Sequence, residues 1–145
     1  MFVENFSETL NLGKKLSYKL NPQSIVLLQG PIGAGKTSFI QGIAKGLLIP
    51  EDITSPTFAL SHHYYSGRIP LIHLDLYRLQ NSSSAKEVFF SEEEEAIQRK
   101  AILVIEWPEL IEPVIDNFWK IEISYAKNYG RHYEIRDPKN SFTFS

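Results

Sequence analysis

Apolar residues recur at two different spacings along this chain, and the switches between them mark out its elements. Leu12, Leu16 and Leu20 stand four apart, which predicts an amphipathic helix over Glu8 to Leu20 with Ser7 as its N-cap. Asn21-Pro22 breaks it. Ser24 to Gln29 is then a short run with an unbroken apolar centre, as a strand buried on both faces requires, and Gly30 ends it. Beyond a glycine-rich octet, Phe39, Ile40, Ile43, Ala44, Leu47 and Leu48 return to helical spacing until Pro50 stops them. Phe58 to Tyr65 and Ile69 to Asp75 read as strands. They are joined through Ser66-Gly67-Arg68, whose glycine can take positive φ, and so predict an antiparallel hairpin. Between Leu79 and Lys100, Ser84-Ala85-Lys86-Glu87 and Ser91-Glu92-Glu93-Glu94 are capping-box candidates, predicting two short helices or one bent one after an Asn81 to Ser84 loop. Ala101 to Ile105 is a second buried strand with Glu106 at its carboxyl end. Alternation at Ile121, Ile123, Tyr125 and at Tyr133, Ile135 around Asn128-Tyr129-Gly130 predicts a second hairpin.

At 145 residues the chain is sized for one domain, residues 1–145, with 137–145 as a candidate flexible tail. Its 43% hydrophobic and 22% charged content excludes disordered and fibrous classes. Fifteen basic against seventeen acidic residues leave a formal charge of −2, so any contact with nucleic acid is expected to run through a partner. With no cysteine there are no disulfides, thiolate metal sites or thiol nucleophiles. The apolar runs are too short to span a bilayer, and Met1 to Asn5 has neither the basic start nor the apolar stretch of a secretory signal. A cytoplasmic location without membrane contact is the expectation.

The chemistry is concentrated in Gly30-Pro31-Ile32-Gly33-Ala34-Gly35-Lys36-Thr37, which fits G-x-x-x-x-G-K-[ST]. Glycines let successive N–H groups curl inward around phosphate oxygens, and the helix that follows presents its positive end to the same anion. Lys36 adds a full charge near the outer phosphates, and the Thr37 hydroxyl can ligate Mg²⁺. A chance match in a chain of this composition is on the order of one in a few hundred. The buried strand before the octet and the amphipathic helix after it supply the required context, predicting a P-loop NTPase-like three-layer α/β/α domain whose mixed sheet carries two antiparallel hairpins. The metal also needs a carboxylate from a neighbouring strand end, and two qualify, Glu106 and Asp75. Thr54-Ser55-Pro56-Thr57 lies where nucleotide switches often sit, or is an ordinary turn. His62, His63, His73 and His132 lack metal-ligand spacing and are read as surface or sheet residues. Glu92 to Glu95 is read as a solvated face and N-terminal turn, and Trp107 with the tyrosines as core and rim.

Taken together, Thr9-Leu10-Asn11-Leu12-Gly13, Gly33-Ala34-Gly35-Lys36-Thr37, Thr54-Ser55-Pro56-Thr57-Phe58, His73-Leu74-Asp75-Leu76-Tyr77-Arg78-Leu79, Glu106-Trp107-Pro108-Glu109 and Gly130-Arg131 resemble the TsaE family, the small P-loop ATPases of tRNA threonylcarbamoyladenosine biosynthesis. The resemblance runs from about Ser7 to Arg136. It implies an ATP-binding and hydrolysing accessory to threonylcarbamoylation of adenosine 37 in tRNAs reading ANN codons, acting with TsaD and TsaB and meeting tRNA only through that complex. It further implies that Gly33, Ala34, Gly35, Lys36, Thr37 and Ser38 bind the phosphates, that Thr37 and Glu106 hold Mg²⁺, that Asp75 orients or activates the attacking water, and that Thr9 and Arg131 contact the nucleotide. The sequence departs from the family pattern at Pro31-Ile32 and Ser38, and neither departure removes a phosphate donor or the magnesium ligand.

Phosphoryl transfer to water needs charge neutralisation, a fixed metal and an oriented nucleophile, for which the chain offers Lys36, Thr37 with Glu106, and Asp75. Arg78 and Arg131 are candidate arginine fingers, and the sparse site predicts an ATPase that is weak alone and helped by its partners. The rival readings are a small P-loop kinase, against which the acidic Gln80 to Lys100 segment stands where a basic lid is usual, and a nucleotide-gated assembly module. A GTPase would need an N-K-x-D element, which is absent.

Overall fold

The computed structural model describes residues 1–56 and 60–144. In chain order the elements are β1 (Phe2–Val3), α1 (Phe6–Ser17), β2 (Ile25–Gln29), α2 (Lys36–Gly46), β3 (Ser61–Tyr64), β4 (Leu71–Asp75), α3 (Ser82–Arg99), β5 (Ile102–Glu106), a 3-10 turn (Glu112–Val114), β6 (Trp119–Tyr125), β7 (Arg131–Arg136) and β8 (Phe142–Thr143). The strands form one mixed sheet in the order β1-β7-β6-β2-β5-β4-β3, with β8 also on β7. Its centre is parallel, β6, β2, β5 and β4 running together, and both predicted hairpins, β3–β4 and β6–β7, flank that centre. The P-loop NTPase-like α/β class follows.

Side-chain alternation sorts two cores onto the two faces of this sheet. Val26, Leu28, Leu71, Ile102 and Val104 pack with Leu12 and Leu16 of α1 and with Phe39, Ile40 and Ile43 of α2. Leu27, Ile72, Leu74, Leu103 and Ile105 face the other way, onto Ala85, Phe89 and Ala96 of α3. Both faces of the central strands are covered, which is why the sequence shows them as unbroken apolar runs.

Several sequence expectations are corrected. The N-cap of α1 is Asn5, not Ser7; its side chain accepts from Glu8 N–H and the helix therefore starts earlier. It also ends at Ser17, although Leu20 remains buried. Leu48 is 70% exposed with φ +62°, because α2 has already closed at Gly46. Gly67 is required for space and not for positive φ: a Cβ there would stand 2.4 Å from the Leu47 carbonyl oxygen. The Leu79 to Lys100 region holds one 18-residue helix, capped by Asn81 through Ser84 N–H, so Ser82 to Ser84 form its first turn and not a loop. Ser91 and the glutamate run lie inside that helix. Glu92 accepts hydrogen bonds from Ser61 and stands 2.8 Å from His63, and Glu95 accepts from Tyr65, so two of the four acids tie α3 to β3 and the residue after it. Phe58, placed at the start of the first hairpin, lies outside the described residues. In the stretch proposed as a tail, Phe142 and Thr143 pair with Arg136 and Ile135. Among the described residues no helix is long and apolar enough to cross a membrane.

The two helices on the phosphate-loop face approach unusually closely. A Cβ on Gly13 would fall 2.3 Å from Phe39 O, and one on Gly42 would fall 2.3 Å from Leu10 O, so each helix presents a glycine to the other's backbone. This closeness is what carries Thr9 of α1 to the side of the loop that opens α2. Gly42→Ala should therefore destabilise the protein. The gain of up to about 1 kcal/mol in helix propensity is outweighed by an overpacking cost of about 1–3 kcal/mol against unyielding backbone. A lowered urea-unfolding midpoint is the expected result, and an unchanged midpoint would show that the helices can separate freely.

Candidate functional site

The octet is wrapped, not extended. Gly33 (φ +79°) and Gly35 (φ +102°) occupy backbone conformations that other residues adopt with strain, and Gly35 is the N-cap of α2, with no side chain among the described residues capping the first-turn N–H groups. The end of a helix and its dipole thus face the loop's concavity with donors free for an anion. Lys36 is buried. Its Nζ donates to the carbonyls of Gly30 and Pro31, the latter at 2.9 Å, and stands 4.3 Å from the centroid of Trp107. Burial lowers its pKa, against the raising effect of Glu106, Asp75 and Glu109.

The C-terminal hairpin braces the outside of the loop. Tyr125 Oη donates to Ile32 O at 2.7 Å, and Arg131 donates to the carbonyls of Gly33, Tyr129 and Gly130 while its guanidinium lies 4.5 Å from the Tyr125 ring. A Cβ at Gly33 would come within 3.3 Å of Tyr125 Oη, and one at Gly35 within 3.3 Å of Tyr133 Oη, so both glycines are pressed against tyrosines as well as twisted. Burial raises the Tyr133 phenol to about 12, and its ring packs against Phe39 at 5.3 Å between centroids.

Both candidate acids arrive from the parallel centre. Leu28 of β2 pairs with Glu106 of β5, and Glu106 with Asp75 of β4, so the carboxyl ends of three strands open at the same level beside the octet. Glu106 is buried, with Oε2 2.6 Å from His73 Nε2. Asp75 is half-buried and accepts from Tyr77 N–H at 2.9 Å. Burial raises its pKa first of all, the Tyr77 N–H resists, and the Glu106 charge raises it further against His73 and Lys36. Thr37 Oγ1 lies 3.0 Å from Ser55 Oγ, so the Thr54 to Thr57 segment does reach the loop, although Thr57 is outside the described residues.

A cavity of about 420 Å³ gathers Lys36, Thr37, Ser55, Asp75, Tyr77, Glu106 and Trp107. A second, of about 240 Å³, gathers Asn5, Phe6, Thr9, Ala34, Tyr129 and Arg131. Gly33, Gly35 and Ser38 line both, making the loop the wall between them. The residues expected to bind phosphates, nucleotide or metal, or to act on the attacking water, each border one or the other. Of the two finger candidates, Arg131 sits on the second cavity with its donors given to backbone carbonyls, and Arg78 is exposed beyond β4 and lines neither. Sequence reasoning missed Tyr125, Tyr133, Tyr77 and Trp107 as parts of the site, and did not foresee that His73, though in the sheet as expected, would touch Glu106. The available signals were positional: His73 is two before Asp75 on one strand face, and Trp107 directly follows Glu106. Trp107 also takes φ +57°, an uncommon conformation for a bulky residue, and its ring lies 4.8 Å from that of Tyr77. No group of three or more His, Asp or Glu able to hold a metal by itself occurs among the described residues.

The sequence model described as threonylcarbamoyl adenosine biosynthesis protein TsaE matches residues 3–133. The tRNA threonylcarbamoyladenosine biosynthesis protein TsaE of Nostoc sp. is 42% identical over 137 residues, covering 93% of this chain and 83% of that protein. The protein of that name from Aquifex aeolicus is 33% identical over 125 residues, covering 85% and 86% respectively. The crystal structure of Bacillus subtilis YdiB is similar with a TM-score of 0.71 at 28% identity, over 92% of this chain and 80% of that one.

The shared level of the two acids has a measurable result. In metal-free protein the Asp75 carboxyl, followed by ¹³C NMR, should titrate above the ordinary 3.8 and move downward in Glu106→Gln, which removes a like charge. It should remain elevated in that variant, because burial is the larger cause. A midpoint indifferent to Glu106→Gln would mean that the two groups do not share one cavity.

Proposed function

The chain belongs to the TsaE family, and from that premise we propose that it serves tRNA threonylcarbamoyladenosine biosynthesis as a Mg²⁺-dependent ATPase, slow by itself, that supports repeated turnover by TsaD and TsaB. The observation that carries this reading is the convergence of Lys36, Thr37, Asp75 and Glu106 on one cavity at the mouth of a glycine-wrapped loop. Cytoplasmic action, with tRNA met through the partner complex, completes the reading.

The donor set suits the proposed ligands. Thr37 and Glu106 offer oxygen ligands to a hard cation, and two protein oxygens are appropriate for Mg²⁺, which keeps waters and phosphate oxygens in its shell and seldom takes an all-protein cage. When bound, Mg²⁺ supplies neutralisation of the charge on the transferring phosphoryl group. Lys36 exchanges its carbonyl acceptors for phosphate oxygens, adding a cation that burial makes more effective. The first-turn N–H groups of α2 and the loop amides hold the phosphate chain. Asp75, half-buried and opposite Lys36 in the same cavity, is the acceptor for a water proton and fixes the water's direction. Thr9 and Arg131, bordering the second cavity, position the nucleoside side.

Weak intrinsic activity has a physical reason. Among the described residues lining the acidic cavity, Lys36 is the one basic side chain, and Arg131 is committed to carbonyls on the loop's other side. A partner that brought a further cation, or that settled the segment touching Thr37 through Ser55, would raise the rate.

Reconstituted tRNA modification with TsaD and TsaB, run over several turnovers with and without this chain, tests the reading. ATP-dependent stimulation is expected. Lys36→Ala should lose nucleotide binding and stimulation together. At saturating Mg²⁺, Glu106→Ala should retain nucleotide binding while hydrolysis and stimulation fall about 10²-fold or more. Undiminished stimulation by Glu106→Ala would favour a nucleotide-gated assembly module, and no stimulation by the native chain would overturn the proposed role.

A further inference from the structure

His73 is fully buried within the central sheet, on the face under α2, and nothing so far requires a histidine there. On β4 it is two residues before Asp75, and on β5 Val104 is two before Glu106; His73 pairs with Val104 and Asp75 with Glu106. The four side chains therefore form two rows on one face, an inner His73–Val104 row and an outer Asp75–Glu106 row. Val104 shows that the inner row accepts an apolar side chain. What the histidine adds is a bond that crosses between rows, from Nε2 to Glu106 Oε2 at 2.6 Å.

That bond determines how the ring is held. An ionised carboxylate has no proton to give, so in this bond a hydrogen lies on His73 Nε2 and is donated to Glu106, and buried Nδ1 has no hydrogen-bond partner among the described residues. A buried ring nitrogen without a partner costs desolvation with no return. The charge-assisted bond to Glu106 is the compensation, and it fixes one carboxylate oxygen while the other takes no hydrogen bond from the described residues.

We propose that His73 is a positioning residue for Glu106: it occupies Oε2 and so presents the remaining oxygen of that carboxylate toward the cavity it shares with Thr37. The proposal rests on the Mg²⁺-nucleotide reading above. A carboxylate left to rotate would meet a cation in several orientations, whereas one tethered from behind meets it in one, as outer-shell partners do for metal ligands generally.

Two measurements test it. Long-range ¹⁵N–¹H NMR of the native full chain, without nucleotide or metal, should show a proton on His73 Nε2; a ring protonated at Nδ1 with none on Nε2 overturns the proposal and needs no variant to be seen. Calorimetric ATP binding is then compared in EDTA and across a Mg²⁺ titration for native protein, His73→Leu and His73→Gln. His73→Leu should raise the Mg²⁺ concentration for half-saturation about 10-fold or more, with binding in EDTA within about twofold of native, and His73→Gln, which keeps a donor near the Nε2 position, should recover most of the loss. A native Mg²⁺ dependence in His73→Leu, or equal loss with and without Mg²⁺, overturns the positioning role. If native protein binds no ATP in either condition, the nucleotide reading fails, while the tautomer measurement still decides whether His73 holds Glu106.

Discussion

The register of three parallel strands is the constraint on which this molecule depends. β2, β5 and β4 are packed on both faces, and each alternates between a core shared with α1 and α2 and one shared with α3. A slip of one residue would exchange those faces, turning Glu106 toward α3 and placing Ile105 at the phosphate loop. The burial of some of the most apolar segments of the chain thus also sets where the two acids of the cavity stand. Leu28, Glu106 and Asp75 are brought level by the pairing of apolar side chains several residues away.

The distribution of what could be read from the sequence follows from that division. Buried strands and the helix after the octet are specified locally, by runs and spacings; the first hairpin was evident from two strand-like runs around Ser66-Gly67-Arg68 and the second from alternation around Asn128-Tyr129-Gly130. The octet was legible because its residue types have few other uses in that order, and the two acids because each stands at the carboxyl end of an apolar strand. Boundaries were less so. Ser7 and Asn5 are both capable caps, and only the backbone decides between them. Ser91 makes a plausible capping box because the sequence alone does not show that α3 continues through it. Gly67 illustrates the same limit, since a glycine needed for space and one needed for its backbone angle look alike in one dimension. Within the site, Tyr125, Tyr133 and His73 escaped notice because their roles are created by pairing across the sheet. Tyr125 reaches Ile32 from 93 positions away in the sequence.

The site is consequently assembled from distant parts of the chain. One side is stiff, made of strand ends and the first turn of α2. The other is braced by the β6–β7 hairpin, whose tyrosine and arginine hold carbonyls of the loop while Tyr133 lies beneath Gly35. α1 joins it by backbone contact at Gly13 and Gly42. In the proposed function the triphosphate tail would lie along this seam, with the acids and the lysine at one end and Thr9 with Arg131 at the other. Preorganisation of this kind matters most where a single misplaced donor is costly.

Trp107 shows what such a construction exacts. Its backbone is held in the left-handed region, at about 1–3 kcal/mol for a residue with a side chain, so that its ring can lie beside both Lys36 and Tyr77. Glycine would relax that angle and erase the ring at one stroke. At this position robustness and readiness are opposed, and a sequence drifting toward greater durability would give up the aromatic wall of its own acidic cavity.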